Sequence, residues 1–236
     1  MKFFRSLLFS TGMILATIVY APLSLLTFPL PLAWRYHFIT SWSHFIIWWL
    51  KITCQIDYRI KGRENIPSKA AIIMSKHQST WETLILQMIF PQQVWILKRE
   101  LLMVPFFGWG LAMLKPIAID RKGGRKAVEQ LLEQGRAHLR AGRWIVVFPE
   151  GTRVPPGKKG RYALGGAILA EQTGTVIVPV AHNSGYCWRK KQFIKQPGTI
   201  TVSIGPIIDP SGKTANEIIR QVENWIETEV KNIGPA

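Results

Sequence analysis

The sequence predicts an α/β fold: a mainly parallel central sheet flanked by helices, preceded by an N-terminal apolar two-helix membrane motif. Three observations carry this. Short apolar runs alternate with helix-period segments from residue 53 onward, the pattern of a sheet with helices on its faces. The first 50 residues hold two long apolar stretches separated by Pro29 and Pro31. Hydrophobic residues make up 47% of the 236-residue chain, enough for a packed core and against intrinsic disorder.

The N-terminal part, residues 1–52, reads as a membrane-associated helical hairpin. No charged residue lies between Arg5 and Arg35, and residues 6–28 are long enough for a hydrocarbon core, which takes about 20 residues. Lys2 and Arg5 give the basic start of a signal peptide, but the apolar run is too long and no small-x-small cleavage site follows. A second stretch, residues 34–50, carries Trp42, Trp48 and Trp49, as expected near a bilayer interface. A hairpin returns the chain to its starting side and keeps Lys2 and Arg5 on the face of the basic remainder, as the positive-inside rule prefers. Crossing the bilayer and dipping into one leaflet both satisfy this pattern.

Residues 53–236 read as the α/β domain. Strands are expected over residues 56–60, 70–74, 94–97, 116–119, 144–148, 176–180 and 199–204, from apolar runs bounded by Gly and Pro. Helices are expected over 81–90, in part over 101–114, and over 125–141, 163–172 and 214–233, from apolar residues at helical spacing.

Charge narrows the partners. Thirty Lys and Arg face 14 Asp and Glu, a net charge of +16, so anionic partners are expected: lipid headgroups, phosphorylated substrates, an acidic carrier or nucleic acid. No nucleic-acid recognition motif is present, and the ten Trp favour a membrane surface. Cys54 and Cys187 are the two cysteines. They form no disulfide framework and read as free thiols of a reducing compartment.

Several chemistries are excluded by missing patterns. There is no Gly-x-Ser-x-Gly elbow. Residues 151–159 lack the spacing and the hydroxyl residue of a phosphate loop. Gly108-Trp109-Gly110 lacks the third glycine of a dinucleotide fingerprint, and no His-x-x-x-His pair suggests zinc.

Three polar clusters follow expected strands, where open α/β sheets gather their ligands. The first runs Lys76-His77-Gln78-Ser79-Thr80-Trp81-Glu82. Histidine titrates near neutral pH and suits a base for an alcohol nucleophile, and Glu82 can fix its tautomer. Ser79-x-x-Glu82 is equally a capping box for the following helix; the two roles can coexist. The second cluster comprises Lys98-Arg99-Glu100-Leu101 with Ile119-Asp120-Arg121, whose cations can hold a phosphate; Arg99 and Lys122 read better as solvated surface. The third is Phe148-Pro149-Glu150-Gly151-Thr152-Arg153, a strand end and tight turn presenting Glu150 to a hydroxyl and Arg153 to a phosphate.

Together these blocks resemble the glycerolipid acyltransferase family, the 1-acyl-glycerol-3-phosphate acyltransferases in particular. The resemblance spans about residues 63–180. His77 with an acid five positions on is similar to the family's His-x4-Asp motif, with Glu82 where Asp is usual. Lys98-x-Glu100-Leu101 through Arg121 resembles the second block, residues 148–153 match the third, and Ile177-Val178-Pro179-Val180 resembles the fourth.

The resemblance implies an acyltransferase in phospholipid synthesis. His77 would be the base and Glu82 its partner. Lys98, Arg121, Glu150, Gly151, Thr152 and Arg153 would bind the acceptor, and the neighbourhood of Pro179 would line the acyl or thioester side. It implies direct transfer from acyl-CoA or acyl carrier protein to lysophosphatidic acid, with no metal or other cofactor. The expected setting is the inner membrane of a bacterium, with the catalytic domain facing the cytoplasm. Arg189, Lys190, Lys191 and Lys195 are expected to meet anionic headgroups or an acidic donor. An acyltransferase for another acceptor and a non-catalytic basic membrane-binding protein are the alternatives.

Overall fold

The computed structural model describes residues 1–120 and 123–236. Two long helices open the chain, α1 (Lys2–Leu26) and α2 (Leu32–Cys54), joined by a turn around Pro29 and Pro31. They run antiparallel. The Tyr20 and Phe38 rings meet at 5.8 Å near the turn, and the Cys54 thiol donates to the Arg5 carbonyl at the other end. Helix α1 is long and apolar enough to cross a membrane, and Phe3, Phe4, Leu8, Leu15 and Val19 are exposed along it.

The hairpin packs against the rest of the chain. Phe9 of α1 and Ile46, Ile47, Leu50 and Cys54 of α2 belong to the same buried cluster as the sheet residues Ile73, Val146 and Val178. The Lys195 backbone N–H donates to Ser6 Oγ at 2.8 Å. Both cysteines are free and buried.

The strands are β1 (Ile56–Lys61), β2 (Ile72–Ser75), β3 (Gln93–Lys98), β4 (Ile117–Ile119), β5 (Trp144–Val147), β6 (Ile177–His182) and β7 (Gly198–Ile204). They form one seven-stranded sheet in the order β1-β7-β6-β2-β5-β3-β4. All pairs are parallel except β6 with β7. The expected strands are thus all present, with shifted ends. Strand β6 runs on to His182, because Val180, Ala181 and His182 pair with β7, a partner that local sequence does not announce.

The remaining helices are α3 (Trp81–Ile89), α4 (Phe107–Met113), α5 (Arg125–Arg140), α6 (Gly165–Thr173), α7 (Ser184–Cys187) and α8 (Ala215–Ile233). Residues 101–114, expected to be helical in part, divide into a 3-10 turn (Arg99–Met103) and α4; Pro105 separates them, since proline disfavours helical backbone in the residue before it. Helix α7 has too few residues to show a period and was not anticipated.

The alternation of β2 explains the layering. Successive strand side chains point to opposite faces. Ile73 therefore packs with α2 and α3, while Ile72 and Met74 pack with Leu131 of α5, Leu169 of α6 and Ile218 and Val222 of α8. All four residues of β2 are buried, as expected of a strand covered on both faces. Helix α8 starts with a reciprocal capping box between Thr214 and Glu217.

Candidate active site

The carboxyl ends of β2, β5, β3 and β6 lie side by side, and each leads into a polar segment. After β2 come Lys76 and His77. Continued alternation sends them to opposite faces of the sheet, His77 toward α3 and Lys76 toward α8.

His77 Nδ1 lies 2.8 Å from Glu82 Oε1. A carboxylate only accepts, so Nδ1 is the donor and carries a proton, which leaves Nε2 as the ring nitrogen turned away from Glu82. The same Glu82 oxygen accepts the backbone N–H groups of Gln78 and Ser79, each at 2.8 Å. Its other oxygen accepts the hydroxyls of Ser79 at 2.6 Å and Ser184 at 2.9 Å. Ser79 Oγ in turn accepts the Trp81 N–H at 2.9 Å. The expected capping box does not form: Thr80 is the N-cap of α3 and has no side-chain cap bond, and the fully buried Glu82 carboxylate instead gathers the His77 ring and the segment that leads into the helix. Burial alone would raise its pKa; the His77 ring and the Ser79 hydroxyl, which donate to it, outweigh burial and hold it well below the usual carboxylate range.

The His77 ring stacks on Phe148, with centroids 4.1 Å apart and planes 16° apart. Phe148 stacks in turn on Trp95 at 5.8 Å. These rings hold His77 at the wall of a cavity of about 280 Å³. The hairpin supplies one side of that cavity through Thr17, Ala21, Ile39 and Trp42; Leu84 of α3 and Leu111 of α4 supply another. His77, Lys98, Gly151 and Arg153 all line it. An apolar chamber thus opens onto one imidazole and two cations, and neither Lys98 nor Arg153 forms an ion pair among the described residues.

The turn after β5 depends on two glycines. Gly151 adopts φ +65°, a left-handed conformation that glycine enters without steric cost. A Cβ on Gly160 would sit 2.9 Å from Glu150 Oε1, so only glycine allows the two segments to approach this closely. Across the gap, the Val154 N–H donates to the His77 carbonyl at 2.7 Å, tying the turn to the histidine backbone.

Glu150 departs from the expectation that it meets the acceptor. Its carboxylate points inward, with Oε1 accepting from Lys76 Nζ at 2.7 Å and from the Gly160 N–H at 3.1 Å, and Oε2 accepting from the His77 N–H at 3.0 Å. It braces the site from behind, because a buried lysine draws it in. Thr152 is exposed, and its hydroxyl accepts from Lys190 Nζ at 3.0 Å. Arg121 lies outside the described residues. Pro179 sits inside β6, opposite Met74 of β2, and does not line the cavity.

Four supporting residues escaped sequence reasoning. His182 is buried; its Nε2 donates to the Lys76 carbonyl at 2.8 Å, and its Nδ1 accepts the Ser184 N–H at 3.4 Å. These two roles require a neutral ring, and burial lowers the His182 pKa accordingly. Ser184 then reaches Glu82 as described. Tyr162 and Glu227 lie behind Glu150, where the Tyr162 hydroxyl donates to Glu227 Oε1 at 2.8 Å. Burial, followed by the charges of Glu150 and Glu227, pushes the Tyr162 phenol far above its ordinary pKa, so it remains a donor. A histidine ending an apolar strand was the one visible signal, for His182; the others come together only through the sheet.

Arg189, Lys190 and Lys191 are exposed, as a basic surface requires. Lys195 is not part of that surface. It is buried, its Nζ donates to the Phe193 carbonyl at 2.7 Å, and it lies within 6 Å of the Phe9, Trp188 and Phe193 ring centroids. It therefore fastens α1 to the α/β layer. Among the described residues, no group of three or more His, Cys, Asp or Glu side chains is placed to hold a metal ion.

Comparison with known proteins bears on the whole chain. The profile of the family described as "Acyltransferase" matches residues 57–183. A 1-acyl-sn-glycerol-3-phosphate acyltransferase of Pseudomonas aeruginosa is 43% identical, over 98% of this chain and 92% of its own. One from Saccharomyces cerevisiae is 30% identical, over 78% of this chain and 63% of its own. The crystal structure of the 1-acyl-sn-glycerophosphate acyltransferase from Thermotoga maritima superposes with a TM-score of 0.82, covering 99% of this chain and 98% of that one, at 24% identity; that likeness is one of fold.

Proposed function

This chain belongs to the acyltransferase family, as a 1-acyl-sn-glycerol-3-phosphate acyltransferase, and from that premise we propose how its residues perform the transfer. The acyl group leaves an acyl thioester, of coenzyme A or of acyl carrier protein, for the free hydroxyl of lysophosphatidic acid. The product is phosphatidic acid. The observation that carries this reading is the His77–Glu82 pair, 2.8 Å apart, facing an apolar cavity whose rim holds Lys98 and Arg153.

His77 Nε2 takes the proton of the acceptor hydroxyl. The oxygen attacks the thioester carbonyl, the carbon–sulfur bond breaks as the tetrahedral intermediate collapses, and the imidazolium returns the proton to the thiolate. No acyl-enzyme forms. Glu82 stabilises the imidazolium and keeps Nε2 turned toward the acceptor. Arg153 and Lys98 hold the acceptor phosphate by charge-assisted hydrogen bonds. An acyl chain lies in the cavity beneath, and its burial contributes roughly 0.8 kcal/mol per methylene.

The hairpin both walls the cavity and sets the domain at a bilayer, where acceptor and product reside. The structure holds the N-terminal end beside the basic domain: Lys2 Nζ donates to Gln196 Oε1 at 2.8 Å. That proximity supports placing the catalytic domain on the cytoplasmic face of a bacterial inner membrane. The test is a transfer assay with purified protein, lysophosphatidic acid and each donor in turn, alongside acceptors without phosphate. Phosphatidic acid should form. Activity confined to acceptors without phosphate would contradict the roles of Lys98 and Arg153.

A further inference from the structure

Lys76 adjoins His77 in sequence, yet its side chain lies on the other side of the sheet and is 1% exposed. A buried ammonium needs partners for three protons, and Lys76 Nζ has three: Glu150 Oε1 at 2.7 Å, Glu227 Oε1 at 2.7 Å and the Lys158 carbonyl at 3.3 Å. Glu227 belongs to α8, 151 positions away in the chain. The Tyr162 hydroxyl steadies it from the side at 2.8 Å.

The chain of contacts runs on into the site. The Glu150 oxygen not held by Lys76 accepts the backbone N–H of His77 at 3.0 Å. Glu150 also begins the turn that carries Gly151 and Arg153 to the cavity. One ammonium therefore joins α8 to both halves of the site, the histidine backbone and the cation-bearing turn. The two carboxylates differ in what they do for it. Glu150 touches the site directly, whereas Glu227 hydrogen-bonds only to Lys76 and Tyr162 among the described residues.

We infer that Glu227 is a positioning residue for the transfer reaction, acting through Lys76 and Glu150 on the placement of His77, so that the C-terminal helix is part of the catalytic apparatus. This rests on the proposed role of His77 as the base. With Glu227 ionised, Lys76 is drawn between two carboxylates and Glu150 is held at the distance that meets the His77 N–H. Without that charge, Lys76 closes on Glu150 alone and shifts the carboxylate away from the His77 N–H. The loss falls on the geometry of the reacting groups. The cavity and the exposed part of the phosphate site stay in place.

Lys76 itself is a poor probe, because removing it leaves two carboxylates buried together, which is strongly destabilising. Glu227→Gln keeps the shape, keeps an acceptor for Tyr162 and leaves the neutral Lys76–Glu150 pair. Tyr162→Phe perturbs the same carboxylate by an independent route. The control is Glu223→Gln, one turn earlier on α8, which breaks the outward ion pair with Lys159 and leaves both hydrogen bonds of Glu227 in place.

The experiment measures kcat and KM of the three purified full-length variants in detergent, on protein whose folded fraction is set by urea titration. Glu227→Gln should lower kcat about tenfold, a part of the roughly 100-fold that a 1 Å misplacement can cost, with KM for both substrates within twofold. Tyr162→Phe should lower kcat less, and the double variant should fall short of the product of the two effects. Glu223→Gln should match the parent. Unchanged kcat in Glu227→Gln, a loss appearing only in KM, or an equal loss in Glu223→Gln would each overturn the inference. Absence of transfer in the parent protein is a different failure, and it would remove the proposed function itself.

Discussion

Oε1 of Glu82 accepts three hydrogen bonds at 2.8 Å, from the His77 ring and from the backbone N–H groups of Gln78 and Ser79. The oxygen that sets the imidazole tautomer is thus itself fixed by the loop between β2 and α3. Replacing Glu82 by Gln would set an amide N–H against some of these donors and remove the charge that stabilises the imidazolium. We expect kcat to fall by up to about 10⁴-fold, the scale seen when a triad carboxylate becomes an amide. Glu82→Asp keeps the charge one methylene short and should lose only about tenfold, since a small misplacement costs far less than the wrong tautomer. Steady-state kinetics of both variants would check this; full activity in both would leave Glu82 a structural role alone.

Arg153 lines the cavity without a carboxylate partner among the described residues. Arg153→Ala should raise KM for lysophosphatidic acid by tens-fold, matching the roughly 1.5–3 kcal/mol of a charge-assisted hydrogen bond. Arg153→Lys should recover part of that, because an ammonium keeps the charge without the fork. KM for the thioester serves as the internal control and should change little.

The pH dependence of stability follows from His182 and Glu82. Both folded-state pKa values are lowered. For each, the unfolded chain binds more protons between the two values, so stability rises with pH across that window. His182 makes the protein lose stability as pH falls below about 6.5, the ordinary imidazole value. Glu82 adds a further loss below about 4.3, the ordinary value for glutamate. Urea titrations from pH 8 to pH 5 should show a decline in the parent that is shallower in His182→Gln. An equally steep decline in that variant would exclude His182 as its source.

Ala21 of α1 is buried at the cavity wall. Ala21→Phe should narrow the space and shift donor preference toward shorter acyl chains, read as the ratio of kcat/KM for a long and a short thioester. An unchanged ratio would place the acyl chain elsewhere.

Much of this architecture is written locally. Strand β2 is a run of buried aliphatic residues, α5 and α8 are amphipathic over many turns, and two prolines mark the hairpin bend; each is a periodicity that a window of about fifteen residues contains. The pair His77–Glu82 is legible for the same reason, being a strand end and the first turn of one helix. The inward turn of Glu150 is not legible locally, because its environment is assembled from afar. A loop carboxylate beside an arginine suggests an outward site, and nothing near it announces the buried ammonium of Lys76 behind. Lys195 fails in the same way: in a basic run it suggests solvent, yet the rings of Phe9 and Trp188 enclose it. The support from Glu227, Tyr162 and Ser184 spans 65 residues or more in each case, beyond any local pattern.

The central claim is that the His77 imidazole takes the proton of the lipid hydroxyl. The most direct measurement is single-turnover transfer to lysophosphatidic acid by His77→Ala, with both substrates saturating and vesicle binding assayed on the same protein. A general base contributes about 10²–10⁴-fold, so transfer should fall by at least that lower figure while membrane association stays at the parent level. Transfer at the parent rate would contradict the account.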